Sequence, residues 1–150
     1  MPTFRLHEEP LQDGWLDAYG HLNEAYYLVP FSNATWKVQD HFRIGSEYFD
    51  KTGCAMYTLE THLRYVAEVR APNTLSIETA ILGVDAKRLH IGHTMWSGTR
   101  ECATFECMLL HYDTRAEITA AFPEDIHKDL RDAIQTPTPE WVGRALRRLE

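Results

Sequence analysis

The sequence predicts an α+β fold: one long helix held against a curved antiparallel sheet of about five strands. Residues 54–113 alternate apolar and polar positions in four runs joined by short connections, among them the turns "DAK" and "SGT". Residues 23–41, ahead of them, instead repeat at three- and four-residue steps, on Ala25, Leu28, Val29, Ser32, Trp36 and Gln39. At 150 residues, 44% hydrophobic and 25% charged, the chain fits one globular domain with one core. A helix with one apolar stripe next to several long strands buries that stripe on one sheet face.

The first element is a short strand, "TFRLHE". The loop "DGWLDAYG" follows. Asn23 is a natural N-cap for the helix to about His41, with Glu24 placing negative charge in its first turn. Pro30 lies inside that pattern and should kink the helix or split it into a short turn and a longer segment. "GSEYFDKTG" reads as a second, short helix closed by Gly53. The strand 54–66 sets Tyr57, Leu59, Leu63 and Tyr65 on one face and Met56, Thr58, Glu60, His62 and Arg64 on the other. In 73–84, Leu75, Ile77, Thr79 and Ile81 share a face until Gly83 breaks the register, which suggests a bulge. "RLHIGHTMW" and "ECATFECMLLHYD" complete the sheet. A C-terminal helix covers 122–135, with Pro123 near its start. "TPTPEW" then separates a domain of residues 1–135 from a basic tail, 136–150, whose "WVGRALRRLE" reads as an amphipathic turn or helix. The strand 54–66 is long and amphipathic. At a sheet edge it needs covering, and pairing with a second subunit does this.

The net charge of −7 argues against a nucleic-acid partner, which calls for a basic face. No apolar run approaches the ~18 residues of a membrane span, and "MPTFRLHEEP" lacks the basic-then-apolar order of a signal peptide. Cys54, Cys102 and Cys107 are odd in number and have no Cys-x-x-Cys spacing, so buried free thiols in a reducing cytoplasm are expected. No metal site is expected: His90 and His93 fall on opposite faces of a strand. Gly-x-Ser-x-Gly, phosphate-loop and dinucleotide fingerprints are missing.

Four groupings could carry chemistry. In "WLDAYGHLNEAYY", Asp17 precedes a flexible Gly20. Amides near Gly20, His21, Leu22 and Asn23 at the start of a helix could hold an oxyanion while the acid attacks or activates water. The same residues also read as a helix cap with a spare acid. Glu60, His62 and Arg64 share one strand face and could polarise water, or could form a solvated or ion-paired interface. Lys87 and Arg88, at a hairpin tip, could hold phosphate or serve solubility. Trp15, Tyr19, Tyr26, Tyr27, Phe31 and Trp36 are core or interface candidates, and two or three converging on a cavity could hold a cation.

"DAYGHLNEAYY" resembles the Asp-x-x-Gly-His-x-Asn-x-x-x-Tyr signature of hotdog-fold acyl-CoA thioesterases similar to 4-hydroxybenzoyl-CoA thioesterase, over about residues 3–130. "TGCAMYTLETHLRYVAEV" and "DAKRLHIGHTM" further resemble the betainyl-CoA thioesterases of carnitine breakdown. Pro30 and the tail after Gln135 depart from that pattern. The resemblance implies a hotdog fold, and a homodimer through the 54–66 strand, with dimers that can pair into tetramers. It also implies a thioester-cleaving site at the interface. Asp17 would be nucleophile or general base, amides around Gly20, His21 and Leu22 the oxyanion hole, and Asn23 a cap. Glu60 and His62 would activate water or position substrate. Tyr26, Trp36, Tyr65 and Glu60 would wall the quaternary ammonium of a betainyl group. Lys87, Arg88 and Arg115 would meet the CoA phosphates. CoA enters as part of the substrate, and no separate cofactor is implied.

Overall fold

The computed structural model describes residues 3–146 and 149. Its strands are β1 (Phe4–Pro10), β2 (Cys54–Tyr65), β3 (Thr74–Val84), β4 (Arg88–Ser97), β5 (Arg100–Asp113) and the two-residue β6 (Ile118–Thr119). Its helices are α1 (Leu28–His41), α2 (Ser46–Thr52) and α3 (Glu124–Asp132). The sheet is antiparallel in the order β1-β3-β4-β5-β2, with β6 also pairing β5. β2 is therefore an edge strand over its whole length.

Pro30 splits the helical region as its chemistry demands. A one-turn 3-10 segment, Glu24–Tyr26, precedes α1, and Pro30 occupies the third position of α1. First-turn amides have no partner within a helix, so the missing N–H costs nothing there. α2 ends on Gly53, whose φ of 74° is open to glycine without strain.

One face of the sheet packs on α1. Phe31 is fully buried and stacks on Phe105 at 4.9 Å and on His93 at 6.0 Å. Around them lie Val38, Leu75, Ile77, Leu89, Ile91 and Leu109. The buried His93 ring meets Thr35 Oγ1 at 3.0 Å and Thr79 Oγ1 at 2.8 Å, which satisfies both nitrogens. Burial above all, with the charge of His7 adding, pushes its pKa down to about 3, so the ring is neutral.

The second face is covered as well. The C-terminal segment crosses it, with Trp141 and Val142 packed on Ala80 and Leu82. Glu106, 1% exposed, is held there by His90 Nε2 at 2.9 Å and the Gly143 amide at 2.8 Å. Residues 141–146 form turns and bends rather than a helix, while Arg147, Arg148 and Glu150 of the basic tail lie outside the described residues. Among the described residues no helix is long and apolar enough to cross a membrane.

The face assignment of β2 is corrected by its pairing. The register against β5 shifts between Thr58 and Glu60, so Leu59 is an inserted bulge residue. Before it, Met56 and Thr58 face α1; after it, Thr61 and Leu63 do, opposite Cys107 and Phe105. Tyr57 is turned to the far face, where it stacks on Tyr112, and Glu60, His62 and Arg64 share that face opposite Met108, Glu106 and Thr104.

Candidate active site

Asp17 lies in a tight loop that closes on itself. Leu16 bridges Leu22, and His21 bridges Arg70 in the segment after β2. Gly20, at φ 77°, makes the reversal. Asp17 Oδ1 accepts the amides of Tyr19 at 2.8 Å and His21 at 3.1 Å. One carboxylate oxygen thus holds the turn. The other, Oδ2, has no hydrogen bond among the described residues. The half-buried acid is therefore positioned by its own loop with one oxygen left for chemistry.

The amides proposed from sequence as an oxyanion hole are already used. Gly20 N donates to Asp17 O at 3.0 Å and His21 N to Asp17 Oδ1, while Leu22 N donates to Val69 O at 2.7 Å and Asn23 N to Trp15 O at 2.8 Å. A donor saturated inside the chain is not aimed at a ligand. Asn23 acts as the cap expected of it, accepting the Ala25 amide on Oδ1 at 2.9 Å.

Two tyrosines and an ion pair surround the loop. Tyr27, 4% exposed, donates its hydroxyl to Ala67 O at 3.3 Å, and its ring meets Tyr65 edge-on at 5.0 Å. Burial first, then the negative fields of Cys102, Tyr65, Asp17 and Glu68, push the Tyr27 phenol up to about 12. Tyr65 donates to Glu24 O at 3.0 Å, and burial with the nearby Glu24 raises it too. Both phenols are protonated donors near neutral pH. His21 Nε2 lies 3.3 Å from Glu68 Oε2, within ion-pair range but not aligned for a hydrogen bond. The sequence reading gave Glu68 no role; it arrives from the loop after β2, together with Ala67 and Arg70, the partners of Tyr27 and His21.

A cavity of about 290 Å³ lies between α1 and the edge strand, lined by Leu28, Ser32, Thr35, Trp36, Gln39, Met56, Thr58, Thr61, Phe105 and Cys107. Its hydroxyls, amide, sulfurs and rings are neutral: burial, only partly opposed by Thr58, pushes the Cys107 thiol up to about 11. Trp36 is among its lining residues. Tyr26 stacks on Trp15 at 6.3 Å on the surface nearby.

Glu60 and His62 are not brought to this side. The bulge leaves both on the face away from α1, so a role in activating water beside Asp17 is not available to them within one chain. Lys87 and Arg88 sit at the far end of β4 from the Asp17 loop. β4 has 10 residues, about 30 Å at about 3.3 Å each. Lys87 donates to Thr119 at 3.2 Å, and Arg88 is paired with Asp85 at 2.6 Å. Burial works to raise the Asp85 carboxyl, but Arg88 and the amides of Lys87 and Arg88 outweigh it and hold it low. These residues line a shallow cavity of about 340 Å³. Arg115 lies over Gly53, within 2.6 Å of where a Cβ would stand. Among the described residues no group of three His, Cys, Asp or Glu could hold a metal ion.

Residues 11–130 match the model of the thioesterase-like superfamily. The chain belongs to that superfamily. It is 34% identical to a betainyl-CoA thioesterase of Pseudomonas aeruginosa, over 93% of this chain and 92% of that one. It is 38% identical to an L-carnitine dehydrogenase/betainyl-CoA thioesterase of Agrobacterium fabrum, over 95% of this chain but only 30% of that longer protein. In fold it superposes on a Staphylococcus aureus protein solved in complex with CoA, with a TM-score of 0.85 and 22% identity, covering 98% of this chain and 97% of that one. The hotdog architecture, a curled antiparallel sheet holding one long helix, is the fold of this superfamily member.

Proposed function

We propose that this protein hydrolyses a short acyl-CoA thioester, with betainyl-CoA as the first substrate to test. The observation that carries the reading is the Asp17 carboxylate, fixed by two amides through Oδ1 and free at Oδ2, in a superfamily member whose relatives are named betainyl-CoA thioesterases. Asp17 acts as nucleophile, giving a mixed anhydride that water then opens, or as general base for water. Either route yields one carboxylate and one free thiol per thioester.

The site requires a second copy. β2 is an unpaired 12-residue edge, and Leu59 on it is 55% exposed. Antiparallel pairing of two β2 edges reverses sheet ends. It brings one chain's Lys87, Arg88 and Arg115 end toward the other's Asp17 end, where CoA phosphates would lie. Such pairing keeps every side chain on its own face. The partner then offers Thr58 and Thr61, not Glu60 and His62, to the Asp17 side. Tyr26, Trp36 and Tyr65 supply exposed rings for a quaternary ammonium.

Free-thiol release from a panel of betainyl-, acetyl-, butyryl- and benzoyl-CoA tests the reading. Betainyl-CoA is expected to have the highest kcat/KM. Hydrolysis of none of the panel overturns the thioesterase assignment, and a better rate on another member overturns betaine alone.

A further inference from the structure

On the sheet face turned away from α1, a separate cavity of about 200 Å³ opens beside the C-terminal segment. Its floor is built from small side chains. Ala80 pairs with Gly92 across β3 and β4, and Thr94 pairs with Glu78. Trp96, paired with Glu101 of β5, and Trp141 of the C-terminal segment form its indole walls. Trp141 lies low over the sheet because Gly92 has no side chain; an added Cβ would stand 2.7 Å from the indole ring.

The cavity joins two indoles to two carboxylates. Glu78 is shared with Arg5 at 3.1 Å, and Glu101 has no ion pair among the described residues. Two carboxylates against one guanidinium leave the wall negative. A cation that cannot donate hydrogen bonds is attracted by indole faces, and an unpaired carboxylate adds to that attraction. The volume is below the about 300–1,000 Å³ of sites for drug-sized ligands, so a compact head group fits.

We propose that this outer-face cavity binds a small organic cation bearing a quaternary or methylated ammonium, walled by Trp96 and Trp141 and balanced by Glu101. It stands apart from the Asp17 loop, across the sheet, and does not rest on the thioesterase reading.

Calorimetric titration of the whole protein with choline, against its uncharged carbon isostere neohexanol, tests this. Saturable choline binding is expected, with neohexanol at least about tenfold weaker, and Trp141→Leu and Glu101→Gln each weakening choline about tenfold, the scale of one desolvated cation–ring or charge contact. Glu101→Gln should leave thioester hydrolysis unchanged, and Asp17→Ala should leave choline binding unchanged. If Trp141→Leu does not fold, Glu101→Gln carries the test. No saturable binding, as for a cavity holding only water, overturns the proposal. So does equal binding of neohexanol, and so does loss of choline binding in Asp17→Ala, which would place the cation in the thioester site instead.

Discussion

Asp17 braces its loop in this structure and is the proposed catalytic acid, and a pair of substitutions separates the two roles. Its Oδ1 accepts two amides, at 2.8 and 3.1 Å, which fixes the loop; Oδ2 is the oxygen left for chemistry. Asp17→Asn keeps an oxygen at Oδ1 and both hydrogen bonds, in neutral form, so its stability loss should be under about 1 kcal/mol. Asp17→Ala removes both hydrogen bonds and should cost about 2 kcal/mol, seen as a lower urea midpoint. Neither figure includes a charge–charge contribution, because the loop is half-exposed. Both variants remove the nucleophile or base, so each should lose at least about 100-fold in kcat for thiol release. The assay is kcat and KM with a thiol reagent, beside urea unfolding of the same samples. An Asn variant that keeps kcat within about tenfold of the parent would refute the catalytic role. An Ala variant that loses activity while Asn does not would make Asp17 a loop brace and nothing more.

Three further outcomes follow from the geometry. Leu59→Lys places like charges near each other across a β2–β2 pair, so sedimentation should show a smaller particle and hydrolysis should fall with it; unchanged mass would mean the edge is not the interface. His93, with its pKa near 3 in the fold and 6.5 as the reference, takes up its proton only on unfolding; its stabilising effect is full above pH 6.5 and is lost at up to about 1.4 kcal/mol per pH unit below that. His93→Gln should remove one proton's worth of slope from unfolding free energy between pH 6.5 and 4.5, and equal slopes would refute the assignment. Gly92→Ala drives a Cβ to within 2.7 Å of Trp141 and 2.9 Å of Leu82, which should cost about 1–3 kcal/mol and speed proteolysis within 136–146; unchanged cleavage would show that the segment does not depend on this contact.

Much of the fold could be read from residue order because period-two alternation survives wherever one sheet face packs on a helix. The strands β2 to β5 fall within a residue or two of their predicted ends, and the bulge announced by Gly83 is present, between Ile81 and Gly83. The bulge at Leu59 carried no such mark, since neither Gly nor Pro stands there, and it moved Glu60 and His62 to the other face. The Asp17 loop was visible as a motif, but its amides are consumed by Trp15 and Val69, and the Val69 contact spans a distance no local pattern encodes. The tail read as a basic, amphipathic turn or helix set off from the domain. Instead, His90 and Glu106 on the far face of the sheet are about 1% exposed, because Trp141, Val142 and Gly143 pack over and bind that face.

The inserted Leu59 has a consequence for how this strand can change by insertion or deletion. The two halves of β2 run out of phase, and the spare residue absorbs the difference. Deleting Leu59 would leave a regular ladder with Thr58 and Thr61 still turned toward the helix. Smoothing the bulge while keeping all the residues would instead present Glu60 and His62 there. One backbone irregularity therefore selects between a neutral hydroxyl lining and an ionisable one without any substitution, and the chemistry of the pocket depends on the spare residue being bulged out of the ladder rather than on the length of the strand.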